Sequence, residues 1–410
     1  MTEHSSLSTD SSADAKLKYA GLLCETARQA RLAGQHEAAL VYALQGLGYI
    51  GTEDPAAWYL KAEIATSGWH STDPTLRERG AQYCEELALS REFPAAARDV
   101  AWRNLFWYTK HLEDLAPSLR QWKTHFDAPE GFYPMNLSIV NGPDGILMNV
   151  RCVNYRLDRY RPAQIITRNY LCAVDSGLDH VVLGEIEMPA DFPVVDDRIL
   201  GLEDLRLWYM GDRLWGSATC RQHTETGFCQ IVLISIDDKG KVDGYLVLDP
   251  GQRPYRHEKN WMPVADGLGW FIYSCDPTIV CQTAILYQMD TPPIVARDWR
   301  GSSQAIPFDN GFLAIVHEAT KDVDPAVQKP QIRQRFVLFS RSFQIRAFSW
   351  GWDLGHEGVA GEYVCGMCEH PDGERLVISY GVLDREAWLA TVLKSEVRAM
   401  LRSVEPKIGQ

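Results

Sequence analysis

The chain has 410 residues, a hydrophobic share of 46% and a formal charge of −13. That length exceeds one ordinary core and predicts two domains. The negative charge argues against nucleic acid or an anionic membrane as partner, since an acidic surface releases no counterions on meeting either.

No apolar run reaches the ~18 residues that a membrane span requires. The opening stretch MTEHSSLSTDSSADAK is polar and lacks the basic-then-apolar order of a signal peptide. Residues 1–14 are therefore expected to be a disordered leader, and the protein is expected to be cytoplasmic.

Residues 15–126 read as a helical-repeat domain. AKLKYAGLLCETARQARLAGQ and HEAALVYALQGLGYI repeat apolar residues at three- and four-residue steps, with Gly34 as the stop between them. Three further segments starting at Asp54, Asp73 and Pro94 continue the pattern, each with Pro near its first turn. The small residues Ala30, Ala38, Ala39 and Ala43 around Gly34 look like a tetratricopeptide-type hairpin. Leu22 and Tyr59 recur at close to the ~34-residue period of such repeats. Stacked hairpins of this kind present a groove, so a protein partner is a possible ligand of this half, beside a plain packing role.

After DAPEGFYP (127–134) the period changes to two. A Gly-centred turn followed by an alternating strand then recurs as PDGILMNVRCV, MGDRLWGSATC, ADGLGWFIYSC, FDNGFLAIVHE and PDGERLVISYG. The turn glycines are Gly145, Gly211, Gly267, Gly311 and Gly373, and each unit is preceded by a further short strand. Such recurrence predicts a five-bladed β-propeller over 127–395, with 396–410 as a tail; two β-sandwiches are the rival. The fold class is thus α+β in two domains, a tetratricopeptide-like helical repeat followed by the propeller. The ten cysteines are scattered, and the single C-x-x-C pair, Cys365 and Cys368, lacks the second pair a zinc site needs.

In a propeller the first strand of each blade lines the axis. Period-two alternation in GLEDLRLW places Asp204 and Arg206 on one face and Glu203 on the other. In PYRHEKNWMPV the same rule groups His257, Lys259 and Trp261, two donors and an aromatic plate suited to phosphate and a sugar ring. The fourth repeat adds Arg300 and His317 with Glu318. The first adds Asn136, Arg151 and Asn154, and the fifth adds Tyr380 and Asp384. Each has a structural alternative, an inter-blade ion pair or a solvated turn.

GLEDLRLW, HEKNWMP, GSSQAIPFDNGFLAIVHE and LVISYGVLD resemble, in that order, the blade motifs of five-bladed propeller β-mannoside phosphorylases and related β-mannosyltransferases. The likeness runs over roughly 130–392 and is nearest to a subgroup with helical repeats before the propeller. It implies that Asp204 is the proton donor, and that Arg206, Lys259 and His317 hold phosphate or sugar. Leu205 stands where that family usually has Pro, and Asn260 where many members have Asp.

The implied activity is inverting glycosyl transfer or phosphorolysis on a mannose-like sugar, with phosphate, a sugar phosphate or a sugar nucleotide as co-substrate. Phosphate is already a nucleophile, so one carboxylate suffices; an inverting hydrolase needs a second, ~6.5–9.5 Å away, to activate water. Glu258, Glu318 and Asp384 are the candidates for that role. No metal or other cofactor is expected, because no cluster has ligand spacing. The alternatives are a non-catalytic glycan-binding or scaffold protein and an inverting glycoside hydrolase.

Overall fold

The computed structural model describes residues 10–90, 95–108, 110–155, 162–248, 256–282, 285–289, 294, 296–324, 329–356 and 361–404. The chain divides into two compact units, one of residues 1–109 with 293–295 and one of 110–292 with 296–410.

The first unit is helical: α1 (Asp10–Leu32), α2 (His36–Ile50), α3 (Ala57–Ser67), α4 (Pro74–Leu89) and α5 (Ala95–Leu105). Gly34 takes φ +75 between α1 and α2, a conformation that costs glycine nothing. Asp73 caps α4 by accepting from the N–H groups of Thr75 and Leu76, with Pro74 in the first turn. Ala20, Ala27, Leu40, Ala43, Leu47, Leu60 and Ile64 bury a common apolar core. Leu22 and Tyr59 are both exposed, so the spacing between them relates surface positions rather than equivalent core positions. Helix α1 begins at Asp10, inside the segment expected to be a disordered leader; residues 1–9 lie outside the described part.

The second unit is a β-propeller. Its strands fall into five sheets. In chain order the first four start at Tyr133–Gly142, Glu203–Met210, Met262–Pro263 and Arg300–Gly301, and the fifth at Glu362–Glu369. Four sheets contain a plain run of four antiparallel strands, and the fourth in chain order is an eight-stranded, branched sheet. The sheets are not the equal repeats expected from the turns: the first carries an extra parallel strand, Ile199–Leu200, and the fourth is enlarged.

Neighbouring sheets approach one another closely. The Ser379 hydroxyl donates to the Leu137 carbonyl at 2.7 Å, the Leu207 N–H donates to Ser138 Oγ at 3.3 Å, and Val264 bridges Ala305. Gln304 reaches both Ile139 and Met367, tying the fourth sheet to the first and fifth. Burial follows position: the first strands Tyr133–Gly142 and Glu203–Met210 are buried through their middle residues, whereas the outer strands His180–Glu185 and Ile285–Gln288 hold no buried residue.

The unit boundary falls after Thr109, not after 126. Arg120–Lys123 pairs antiparallel with Glu386–Leu393 and completes the fifth sheet, while Leu112, Ala116 and Leu119 enter its core. This short strand, early in the unit, closes the sheet made from its end. Residues 396–404 are not a loose tail either: Lys394–Met400 is a helix, and Arg402–Ser403 pairs with Ile345–Phe348. Of the ten cysteines, nine are buried, Cys365 and Cys368 among them. Among the described residues, no helix is long and apolar enough to cross a membrane.

At the fifth sheet the approach to the first leaves room only for hydrogen. A Cβ on Gly366 would lie 2.6 Å from the Ile139 nitrogen and 2.9 Å from Ser138 Cα. Gly366→Ala is therefore expected to destabilise the propeller by about 1–3 kcal/mol, the usual range for overpacking, read by urea unfolding.

Candidate functional site

Three first-strand segments carry a short acid or amide in the left-handed backbone region: Asn136 (φ 45), Asp204 (φ 51) and Asn260 (φ 62). Asp and Asn tolerate that region better than other non-glycine residues. The triplets Met135-Asn136-Leu137, Glu203-Asp204-Leu205 and Lys259-Asn260-Trp261 place them alike. In the first two sheets the register shifts at that point, between Met135 and Ser138 and between Glu203 and Arg206. These are β-bulges, and a bulge re-aims the side chain it carries.

The bulge overturns the simple alternation at Asp204. Its carboxylate does not pair with Arg206. Oδ1 accepts from Arg151 Nη1 at 2.6 Å and from Asn136 Nδ2 at 3.0 Å, both on the first sheet. None of the described residues hydrogen-bonds Oδ2. Burial pushes the Asp204 carboxyl up, but Arg151, Arg206, the Asn136 amide and Lys259 outweigh it and hold the group below its ordinary range. The free site therefore holds an ionised carboxylate with one oxygen clamped and one open.

Arg206 is buried and serves three sheets. Nε donates to the Ser302 carbonyl at 2.6 Å, Nη1 to the Asp204 carbonyl at 3.2 Å and Nη2 to the Tyr363 hydroxyl at 2.8 Å. The Tyr363 hydroxyl in turn donates a hydrogen bond to Asn260 Oδ1 at 3.1 Å. The guanidinium is thus satisfied by neutral oxygens, and its charge is not cancelled by a carboxylate hydrogen bond.

His317 lies edge-on to Tyr363, with Nδ1 2.9 Å from Ser302 Oγ. Burial, then the charges of Arg300 and Arg206, hold its pKa down to about 3, so the ring is neutral. Arg300 sits opposite His317 in the strand register and is exposed. No described residue pairs with it. Lys259 Nζ is 3.0 Å from Glu203 Oε1, both side chains being half-buried. Glu203, expected to face away, therefore stands at the site, because the bulge ends the alternation on which that expectation rested. Asp384 accepts from the Tyr155 hydroxyl at 3.2 Å, and its charge acts on Arg151.

Other expected residues fall elsewhere. Trp261 is 1% exposed, donates to Glu258 Oε2 and packs edge-on against Phe271 and Tyr273. It is a core residue, not a stacking plate, since residues 256–261 are not a strand and the two-residue rule does not govern them. His257 is exposed, with Nδ1 accepting from the Cys229 N–H at 3.2 Å. Tyr380 is fully buried in the fifth sheet, where its hydroxyl meets Gln121 and His356. Asn154 fastens a loop through the Gln164 carbonyl and the Ile166 N–H. Glu258 is spent on Trp261 and Tyr273, and Glu318 on buried Arg335.

Sequence reasoning missed Tyr155, Ser302 and Tyr363 as members of the cluster and set Glu203 aside. For Glu203 the sequence signal is a shared pattern: it and Lys259 each stand before an Asp or Asn that an apolar residue follows.

Comparison with solved structures identifies the architecture. A β-1,2-mannobiose phosphorylase from Listeria innocua superposes with a TM-score of 0.50 at 12% identity, covering 69% of this chain and 99% of that one. The likeness is one of fold. A putative glycosidase from Bacteroides thetaiotaomicron aligns with a TM-score of 0.49 at 13% identity, over 64% of this chain and 87% of its own. A mannose phosphorylase from Leishmania mexicana, solved with a phosphate ion, aligns with a TM-score of 0.44 at 13% identity, over 71% and 94%. No protein-family model and no curated protein sequence matches the chain.

The neutral His317 has a consequence for stability. Between the ordinary histidine value of 6.5 and about 3, the unfolded chain holds a proton on this residue that the folded chain does not. Stability contributed here is therefore lost as pH falls through that window. His317→Gln is expected to show a shallower loss of stability from pH 6.5 downward than the wild type, read from urea midpoints at stepped pH.

Proposed function

We propose that the propeller is an inverting carbohydrate-active enzyme, a glycosyltransferase or glycoside phosphorylase that moves a mannose-like sugar between an acceptor hydroxyl and a phosphate group. The observation that carries this reading is the convergence on Asp204 Oδ2. The Asp204 carboxylate feels the charges of Arg206 on its own strand and of Lys259, and the neutral His317 feels those of Arg300, Arg206 and Asp204; Lys259, Arg300 and His317 come from three further places in the chain. The Listeria protein of like fold is a phosphorylase of a mannoside, which agrees with it. The same reading takes the five sheets as five blades and the helices as a tetratricopeptide-like stack with room for a protein partner.

In the synthetic direction the acceptor hydroxyl gives its proton to Asp204 Oδ2 as its oxygen attacks C1 of a sugar phosphate. The C1–O bond breaks, and its electron pair leaves on phosphate, which needs no proton from the enzyme. In phosphorolysis a phosphate oxygen attacks C1, and the departing sugar oxygen takes the proton from Asp204. The ionised state of the free carboxylate is the form the synthetic direction starts from. Arg151 and Asn136 keep Oδ1 occupied, so that the proton moves at Oδ2. Arg300, exposed and unpaired among the described residues, is the cation most open to an incoming phosphate, and neutral His317 offers a ring nitrogen without adding charge.

The test is release of inorganic phosphate from mannose 1-phosphate in the presence of sugar acceptors. Asp204→Asn is expected to lower turnover by about 10²–10⁴-fold, the usual worth of a positioned acid–base group. It should still bind phosphate and unfold cooperatively. Full activity of that variant removes the assignment. Arg300→Met is expected to weaken phosphate binding about tenfold or more, the scale of one lost hydrogen bond to a charged group, read by calorimetry.

A further inference from the structure

Lys259 is not an empty anion site. Its ammonium group already holds Glu203 Oε1 at 3.0 Å, across from the second sheet to the segment that leads into the third. Both residues stand one position before a left-handed residue, Asp204 in one case and Asn260 in the other, so the same backbone device presents both. The pair is only partly withdrawn from water, with 31% and 26% of the two side chains exposed, and can therefore open without stranding a buried charge.

Its surroundings differ from those of the other ion pair in the cluster. Arg151 and Asp204 are nearly enclosed, at 7% and 14% exposure, and Asn136 adds a second bond to the carboxylate. Among the described residues only Lys259 pairs with Glu203, whose charge is felt by Arg151, Tyr155 and His257. One pair is fixed and the other is exchangeable.

We propose that Glu203 is a built-in competitor for the phosphate group at Lys259, a carboxylate that occupies the ammonium in the free protein and yields it when a phosphate or phosphoryl group enters. The inference rests on the enzymatic reading above and deepens it by naming the residue that sets anion affinity. An anion arriving at Lys259 meets a like charge that must move aside, so its apparent affinity is reduced by the fraction of time Lys259 is engaged. Weak binding of phosphate suits a site that must also release it. Once displaced, the Glu203 carboxylate is a hydrogen-bond acceptor beside the sugar position, where hydroxyl groups are its natural partners.

Calorimetric titration of the full chain with inorganic phosphate tests this. Glu203→Gln is expected to bind phosphate about tenfold more tightly than the wild type, the scale of one like charge removed at ion-pair range in a half-exposed site. The gain should vanish when Lys259→Met is added. Glu203→Ala, which also lacks the charge, should show the same gain and serves if the Gln variant does not fold. Equal affinity in the wild type and Glu203→Gln, with both binding phosphate, overturns the inference and leaves the enzymatic reading standing. Binding of phosphate by neither protein overturns the phosphate-using reading, and the inference with it.

Discussion

A carboxylate taken out of water must be met by a cation, and in this propeller that requirement is discharged between sheets. Asp204 belongs to the second sheet, while Arg151 and Asn136 belong to the first. Removing either partner of an enclosed pair leaves a buried charge, which costs about 3–5 kcal/mol in comparable proteins. The ionised state of Asp204, the position of its open oxygen and the junction of two sheets are thus one constraint. The bulge with φ 51 is what allows the constraint to be satisfied, since it turns the side chain off its own strand face.

Around that pair the charges are unequally committed. Arg206 is closed in by the Ser302 and Asp204 carbonyls and the Tyr363 hydroxyl, and so works as a hub strut that keeps its charge. Lys259 is held by a carboxylate at the edge of water, and Arg300 is exposed. The site therefore grades from a rigid interior to an adaptable mouth. The proposed reaction, in which one fixed carboxylate oxygen moves the proton while an anion enters and leaves, would use that gradient.

Much of the fold was legible because local rules governed it. The change of period near residue 130, the Pro and Gly punctuation and the recurring turns correspond to helices and to sheet-by-sheet hairpins. The fourth turn shows the limit of counting glycines: there Asp309, at φ 47, takes the left-handed position and Gly311 does not. The domain boundary was misplaced for a similar reason. Arg120–Lys123 has little character of its own and becomes a strand by pairing with Glu386–Leu393, more than 260 positions later in the chain. Trp261 and Tyr380 were misassigned to the site because an aromatic in a motif-like segment has the same sequence appearance whether it faces a pocket or a core.

The amino-acid sequence by itself determined the helical and strand-rich halves, the hairpin repeat and the presence of Asp204, Arg151, Lys259, Arg300 and His317, because periodicity, turn chemistry and residue type act over a few neighbouring residues. Only the tertiary structure decided the pairings: Asp204 with Arg151 rather than Arg206, and Lys259 with Glu203. Ion pairs between sheets depend on where two backbones meet and on single bulges that rotate a side chain, and a one-residue irregularity of that kind reverses which way every neighbour faces.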